Sequence, residues 1–367
     1  MPQMHKDDGV PIALRQGLRN FWYPLSRSED LASKPVGVKC LGEDLVLWRD
    51  SEKRPHLFSD YCAHRAARLS LGQVHGDVIQ CWYHGVQYDT AGQCRLIPIE
   101  GEGSPRAKQL SVRTYPTEEK GGLIWGYIGE VEKFPPPPLE VPEELLSDEW
   151  QRYYLPVIWN VNWLLYVDNL VDPLHAPYLH AKSYTLSRGL KQDRLKVTNT
   201  DYGIFVEREA QRLVNFDYVE AHFPNWFRVD IPYPPTAGPG GPLHIVVIAT
   251  PIDEESTLLF FVRMRKVSGW KRLLWRLLWN VFLKRMAWNV IEQDRIILES
   301  QRGLQARLRE HLVQSDVGVS HFRRMLNAEV ARQGALYGSP MTTSLGDSAD
   351  LKQEPPSADE RPHHAGS

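Results

Sequence analysis

Two short segments of this chain combine cysteine and histidine at similar intervals. Cys62 and His64 form the first segment, and Cys81 and His84 form the second, with sixteen residues between them. Thiolates and imidazoles are ligands of iron–sulfur clusters and of zinc. Because each segment carries one ligand of each type, the two cysteines can hold one iron of a two-iron cluster while the two histidines hold the other. The spacing therefore predicts a metal centre built from two hairpin-like loops.

A structural zinc site is the alternative, since two cysteines and two histidines also suit tetrahedral zinc. Zinc modules usually group like ligands, as in C-x2-C and H-x3–5-H, whereas each loop here mixes them. The flanking residues resemble the Rieske [2Fe–2S] domain of ring-hydroxylating oxygenases, with Cys62-Ala63-His64-Arg65, Cys81-Trp82-Tyr83-His84-Gly85, Tyr88-Asp89 and Gly92. The resemblance implies a cluster bound by Cys62, His64, Cys81 and His84.

A second group of candidate ligands is Asp172, His175 and His180. Pro173 is predicted to begin a new helical turn capped by Asp172, and Pro177 to interrupt the helical hydrogen bonds, so that both imidazoles can converge. The alternative is an ordinary pair of capped helix ends with hydrogen-bonded histidines. The spacing D-x2-H-x4-H resembles the mononuclear iron motif of the same oxygenases, which implies that both histidines bind iron.

A non-haem Fe(II) site of the two-histidine, one-carboxylate type also needs an acid. Glu292, Asp294 and Glu299 lie in one predicted helix. Helical spacing places Asp294 on the apolar face, and the two glutamates lie on more polar faces. Because a buried carboxylate without a cation is costly, Asp294 is predicted as the third ligand. This region resembles the late aspartate motif of the family, although Gln293 stands where an acid often precedes that aspartate.

The resemblance also implies a role for Asp172 between subunits. In the family, the corresponding aspartate connects an iron-binding histidine, here His175, to a cluster histidine of a neighbouring chain. Electron transfer between chains then implies a ring-shaped homo-oligomer, a homotrimer. A helix-capping role for Asp172 is the alternative and is compatible with this one. Either Asp168 or Asn169 could lie near the iron, and spacing does not decide between them.

Length and composition are those of an ordinary globular protein with about two domains. The chain has 367 residues, 42% of them hydrophobic, and a formal net charge of -2, which argues against a nucleic-acid partner. The first residues lack the pattern of a secretory signal, and no apolar run of about 18 residues could span a bilayer. We therefore expect a cytoplasmic protein without a membrane partner. In that compartment Cys40 and Cys94 are expected to be free thiols.

The pattern of strands and helices predicts the α+β class. We expect five regions: an N-terminal arm over 1–20, an all-β Rieske domain over 21–134, a proline-rich linker over 135–140, a catalytic domain over 141–338 and a disordered tail over 339–367. Strands of the catalytic domain are predicted over 153–158, 194–198, 203–209, 226–231, 243–250 and 257–265, with helices near 160–180 and 270–312. The resemblance implies that this antiparallel sheet curls around a long helix, as in helix-grip folds.

The tryptophan-rich segment 270–288 admits two interpretations. Its basic and apolar residues suit an amphipathic helix at a membrane surface. Its apolar stripe also has the width of a helix that packs in a core. The sequence favours packing against the sheet or a neighbouring subunit.

The resemblance implies that the chain is the oxygenase component of a Rieske non-haem iron enzyme that uses O2. The sequence has neither a G-x-G-x-x-G motif nor a plant-type ferredoxin motif, so a separate NAD(P)H-dependent reductase, with or without a ferredoxin, should supply electrons. The predicted substrate is a small, largely apolar, aromatic or cyclic compound. By analogy with members of the family of similar length, the resemblance implies monooxygenation, by hydroxylation or oxidative demethylation, and cis-dihydroxylation is the alternative. A Rieske electron carrier fused to a ligand-binding domain and a zinc-stabilised interaction protein are the rival interpretations.

Overall fold

The computed structural model describes residues 10–183, 186–214, 216–232, 242–301 and 303–337. The predicted tail over 339–367 lies outside these residues. The α-helices within them are α1 (Ile12–Arg15), α2 (Trp163–Leu170), α3 (Ala176–Leu179), α4 (Trp270–Leu278), α5 (Lys284–Ser300) and α6 (Val317–Tyr337). None of the helices in this described part is long and apolar enough to cross a bilayer.

The first part of the chain forms three small antiparallel sheets. Their strands are β1 (Phe21–Arg27), β2 (Val36–Cys40), β3 (Glu43–Arg49), β4 (Pro55–Ser59), β5 (Gln73–His75), β6 (Val78–Gln80), β7 (Gln87–Asp89), β8 (Cys94–Leu96), β9 (Thr114–Tyr115), β10 (Thr117–Lys120) and β11 (Leu123–Ile128). The sheet orders are β1-β11-β10, β2-β3-β4-β9 and β5-β6-β7-β8. The expected all-β character of this region is confirmed.

The second part is built on one seven-stranded antiparallel sheet. Its strands are β12 (Trp150–Trp159), β13 (Leu195–Thr200), β14 (Gly203–Arg208), β15 (Tyr218–His222), β16 (Trp226–Ile231), β17 (Leu243–Pro251) and β18 (Thr257–Lys266), in the order β12-β18-β17-β16-β15-β14-β13. The predicted strands agree with these to within three residues at each end. Strand β15 was not predicted. Helices lie beside this sheet, so the predicted α+β class is confirmed.

The two faces of the large sheet have different neighbours. On one face, apolar residues of β16 and β17 pack with Trp163 and Tyr166 of α2 and with Ile291 of α5. On the other face, Leu123 and Trp125 of β11 pack with a second set of residues of β17 and β18. Burial on both sides explains why β17 is apolar almost throughout. Strand β11 therefore links the two parts of the chain through an apolar seam.

The prediction for the two prolines near the histidines was partly wrong. Residues 172–175 form a turn, in which Asp172 Oδ1 accepts a hydrogen bond from the Leu174 N–H at 2.9 Å. The helix that follows, α3, begins only at Ala176, and Pro177 lies in its first turn. A proline fits this position because the N–H it lacks would have no partner within the helix. Pro177 therefore starts a helix instead of interrupting one.

Helix α6 was also missing from the predicted elements, which ended at residue 312. It buries Val319, Phe322 and Leu326 against the core. Gln333, near its C-terminal end, is buried, accepts a hydrogen bond from the Asn20 side chain and donates one to the Arg19 carbonyl. Helix α6 thus holds the segment that precedes β1 against the second part of the chain.

Candidate metal centres

The two Cys–His loops have the same backbone design. The Cys62 N–H donates to the Ala67 carbonyl and its carbonyl accepts from the Ala66 N–H; Cys81 makes the same pair of bonds with Val86 and Gly85. The fourth residue after each cysteine has a positive φ, 53° at Ala66 and 73° at Gly85. The glycine meets this requirement without strain. The two loops therefore have similar tight turns, and each turn presents its cysteine and histidine side chains at the tip of the loop.

The four side chains of these loops converge. The rings of His64 and His84 lie 4.7 Å apart between centroids, and Cys62 and Cys81 are buried. Burial raises the pKa of the Cys81 thiol, while hydrogen bonds from the backbone N–H groups of Tyr83 and His84 act in the opposite direction. Such N–H groups stabilise sulfur in its anionic, metal-binding form. The loops therefore bring two buried sulfurs and a pair of imidazoles together, and backbone N–H groups lie close to the second sulfur.

Tyr88 supports the first cysteine. Its hydroxyl lies 3.1 Å from Cys62 Sγ and also accepts a hydrogen bond from the Ala63 N–H. Burial raises the pKa of Tyr88 above its usual range, so the phenol keeps its proton and donates it toward the sulfur. The Tyr88-Asp89 pair was part of the sequence motif, but the contact with Cys62 was not predicted.

A [2Fe–2S] cluster fits this set of donors. Nδ1 of His64 is buried and has no hydrogen-bond partner among the described residues, as expected for an atom reserved for a metal. Burial lowers the pKa of His84, which favours the neutral imidazole that binds metal. Cys40 and Cys94 are buried free thiols, as expected.

Three further candidate ligands meet at a second position. The ligand atoms of His175, His180 and Asp294 all lie within 4.8 Å of one another. Oδ1 of Asp294 is 3.6 Å from Nε2 of His175 and 3.4 Å from Nε2 of His180. This Oδ1 is buried and lacks a hydrogen-bond partner within the described structure. Two imidazoles and one carboxylate match the ligand set of non-haem Fe(II) oxygenases.

Both imidazoles are oriented by their other nitrogen. Nδ1 of His175 lies 2.5 Å from the Asp172 carbonyl oxygen, and Nδ1 of His180 lies 2.8 Å from Oε1 of Gln293. Both partners are acceptors, so each Nδ1 carries the proton and each Nε2 lone pair is directed toward Asp294. The contact of Gln293 was not predicted, because the sequence alone does not show that residues 180 and 293 meet.

The neighbours of Asp294 on α5 have other partners. Glu292 and Glu299 both form ion pairs with Arg295. Only Asp294, of these three acids, points toward the two histidines. The structure therefore agrees with the face assignment made from helical spacing.

Asp168 and Asn169 face different surroundings. Asp168 forms ion pairs with Arg307 and Arg323, at 2.8 Å and 2.6 Å, away from the histidines. Asn169 instead lines the cavity that contains the three candidate ligands, as does Asp172. Of the two residues, Asn169 is the one that shares this cavity with the candidate ligands.

The candidate site opens into a cavity of about 450 Å³ between the sheet and α5. This volume suits a small organic molecule. Most of the wall is apolar, and its sheet side is formed by Val229, Ile245, Val247 and Phe261. Arg263 adds a cationic group to the lining. The arrangement can hold an apolar compound directly beside a metal with open coordination positions.

Comparisons with known proteins agree with this architecture. Residues 21–116 match the Rieske [2Fe–2S] domain, and residues 159–332 match the vanillate O-demethylase oxygenase C-terminal domain. The 5,5'-dehydrodivanillate O-demethylase oxygenase subunit of Sphingobium sp. is 32% identical over 216 residues, which cover 54% of this chain and 48% of that protein. The match thus spans about half the length of that relative.

Two solved structures share the fold. Pseudomonas putida CBB5 NdmA superposes with a TM-score of 0.71 at 22% identity, covering 87% of this chain and 93% of its own. The oxygenase in a complex of carbazole 1,9a-dioxygenase with its ferredoxin has a TM-score of 0.69 at 23% identity, with 84% and 90% covered. The domain order defines a Rieske iron–sulfur protein with a sheet-and-helix second domain. This chain belongs to the Rieske oxygenase family.

Proposed function

We propose that this chain is the terminal oxygenase component of a multicomponent Rieske oxygenase. Its reaction is the O2-dependent monooxygenation, by hydroxylation or oxidative demethylation, of a small, largely apolar, aromatic or cyclic substrate. The observation that carries the proposal is the convergence of His175, His180 and Asp294 at the wall of an apolar cavity. The name of the O-demethylase relative is consistent with demethylation.

In this proposal the two metal groups have separate ligands. Cys62, Cys81, His64 and His84 would hold the [2Fe–2S] cluster, and His175, His180 and Asp294 would hold the mononuclear iron. When bound, the cluster supplies electrons singly and the Fe(II) supplies open positions for dioxygen. A separate NAD(P)H-dependent reductase, directly or through a ferredoxin, would deliver those electrons; the ferredoxin complex of carbazole 1,9a-dioxygenase provides a parallel.

The protein groups around the iron position would prepare the reaction. The Asp172 carbonyl and Gln293 hold the Nδ1 protons of the two histidines, which keeps both Nε2 atoms available. Apolar residues of β16, β17 and β18 would bind the substrate and exclude water from its reacting carbon. Asn169 and Arg263 are among the lining groups that could orient a polar substituent.

We further propose that electrons pass between copies of this chain in a homotrimer. Asp172 lines the cavity and also two clefts on the outer surface. At the tip of the second Cys–His loop, Trp82 and Tyr83 are 73% and 58% exposed. Exposed aromatic residues of this size commonly mark interfaces. The tip of the second Cys–His loop of one copy would dock in one of these outer clefts of the next copy, beside Asp172.

The reaction is tested with the purified full chain after metal and sulfide analysis. The chain is reduced chemically, mixed with 18O-labelled dioxygen and a panel of aryl methyl ethers and cyclic hydrocarbons, and its products are measured by mass spectrometry. Incorporation of one oxygen atom, or formaldehyde release, supports monooxygenation. Cis-diols with two labelled atoms would instead establish a dioxygenase. An iron-replete chain that neither incorporates label into any of these compounds nor releases formaldehyde would contradict the proposal.

A further inference from the structure

Helix α4 and the π-helical turn Trp279–Leu283 that joins it to α5 have two apolar faces. The inner face is packed in the second domain. Trp279 stacks on Tyr153 with ring centroids 4.2 Å apart, and the Arg265 guanidinium lies 4.5 Å from the ring of Trp275. Both tryptophans are only 5% exposed. These inner contacts are sufficient to hold the segment on the protein.

The outer face is also apolar, but it lies in solvent. Trp270, Leu273, Leu277 and Val281 are 68%, 68%, 60% and 67% exposed. Intervals of three and four residues place them in one stripe along the segment, here called the outer stripe. The expectation was packing against the sheet or a neighbouring subunit, and the structure shows that these four residues do not pack against the sheet. A tryptophan and three aliphatic residues exposed together mark a surface for binding.

The outer stripe is surrounded by positive charge. The lysine and arginine residues of the segment and of the first turn of α5 are Lys271, Arg272, Arg276, Lys284 and Arg285. The sequence from 256 to 291 contains no aspartate or glutamate. Because the whole chain has a formal net charge of -2, this concentration of cations is local. The partner of the stripe should therefore be both apolar and negatively charged.

A second copy of the same helix does not meet this requirement, since a two-fold contact would bring like charges together. A bilayer with anionic lipids does meet it. Basic helices with tryptophan and leucine on the apolar side lie in the plane of such membranes, with the stripe among the upper acyl chains and the cations near the headgroups. We propose that the outer stripe and its flanking cations form a docking surface for a membrane that contains anionic lipid.

The docking surface adjoins the cavity. Met286 is 44% exposed and also lines the cavity, together with Trp275 and Trp279 of the inner face. A docked chain would thus hold the rim of its cavity next to the acyl region. If the proposed oxygenase function is correct, an apolar substrate could pass from the bilayer to the cavity without crossing water. This consequence rests on the proposed function, whereas the docking itself does not.

The proposal is tested by co-sedimentation of the purified full chain with vesicles. Phosphatidylcholine vesicles that contain one part in about three of phosphatidylglycerol should bind the chain, vesicles of phosphatidylcholine alone should bind it less, and added salt should weaken binding. The double variant Trp270→Ser, Leu277→Ser should bind the vesicles about tenfold or more weakly, because the tryptophan and leucine side chains of the wild-type chain would enter the bilayer. Reversing charge with Lys271→Glu and Arg285→Glu should abolish the preference for anionic vesicles.

The matched control is Ile99→Ser with Leu308→Ser, which removes two exposed apolar side chains elsewhere and should leave vesicle binding unchanged. Iron content and circular dichroism verify that every variant is folded. Sedimentation velocity without vesicles tests whether the stripe joins copies of this chain. Failure of the wild-type chain to bind anionic vesicles, or a smaller oligomer in the serine variant, would overturn the proposal. Absence of oxygenase activity would not affect it.

Discussion

The side-chain oxygen of Gln293 lies 2.8 Å from Nδ1 of His180, although 113 positions separate the two residues in the chain. Gln293 precedes Asp294 on α5, so one short stretch of helix contributes both a candidate iron ligand and the group that orients another. The amide fixes the proton of the imidazole on the side away from Asp294. Helix α5 therefore positions both the carboxylate of Asp294 and the ring of His180.

Gln293→Leu should weaken iron binding, because Nδ1 of His180 would lose its acceptor. Loss of such a supporting hydrogen bond typically reduces metal affinity about 10- to 100-fold. The measurement is the iron content of the chain after dialysis at limiting Fe(II). Gln293→Glu keeps an acceptor at the same position and should retain the iron. Equal iron content in the Leu and Glu variants would show that this contact does not orient the imidazole.

Asp294→Ala should remove one metal selectively. The intact chain is expected to hold about three irons, two in the cluster and one at the carboxylate site. The variant should retain about two irons with its acid-labile sulfide unchanged, and it should lose oxygenase activity. Glu292→Ala, which removes a carboxylate paired with Arg295, is the control and should keep all the iron. Full iron content in Asp294→Ala would exclude this residue as a ligand.

Asp172→Asn tests the proposed transfer between chains. The side chain keeps its size and an oxygen for the Leu174 N–H, so both metal groups should load normally. In the proposed transfer the charged carboxylate of Asp172 would link the two ligand systems, so its replacement by an amide should lower steady-state turnover at least about tenfold. The reduction of each metal group is followed by spectroscopy during a single turnover. This measurement distinguishes slow electron transfer from incomplete metal loading. Normal turnover in this variant would remove Asp172 from the route.

Tyr88→Phe should lower the reduction potential of the cluster. The phenol donates toward Cys62 Sγ, and a donated hydrogen bond stabilises the more negative, reduced cluster. One bond worth about 1 kcal/mol corresponds to about 40 mV for a one-electron couple. Potentiometry followed by magnetic resonance gives the value. Tyr61→Phe, whose hydroxyl donates to Asp44 instead, should leave the potential unchanged and serves as the matched control.

Asp168→Ala should destabilise the second domain without affecting the metals directly. The side chains of Asp168, Arg307 and Arg323 are each less than a fifth exposed, so removing the acid leaves two poorly solvated cations. The free energy of unfolding in urea should fall by about 3 kcal/mol. Glu310→Ala removes a more exposed partner of Arg323 and should cost less than about 1 kcal/mol. Similar losses in both variants would contradict this account.

Most of the sheet could be predicted from the sequence because its strands follow simple rules. Strand β16 alternates apolar and polar residues and was predicted with its observed bounds. Helix α6 was not predicted: Val319, Phe322 and Leu326 have helical spacing, but the helix as a whole mixes apolar and polar residues and has only a weak amphipathic pattern. Pro177 was misinterpreted because a proline can both end one helix and begin another. Whether a proline ends or begins a helix depends on the residues that precede it.

The candidate site was predictable to the extent that its residues lie close in sequence or on one helix face. The pairs Cys62–His64 and His175–His180 are local, and the face of α5 singled out Asp294. The contacts of Tyr88 and Gln293 depend on how distant segments pack, which spacing does not encode. The same limit applies to α4: periodicity revealed that the helix was apolar, but not that its outer stripe lacks a partner within this part of the chain.

The apolar seam between β11 and the large sheet affects how this protein can be divided. Leu123 and Trp125 are almost completely buried, and their apolar cluster includes residues of β17 and β18 in the large sheet. An N-terminal fragment that ended after β11 would expose them to water and would aggregate. Chimaeras that exchange iron–sulfur modules between oxygenases should therefore carry over the sheet residues facing β11, so that the grafted module finds a complementary surface.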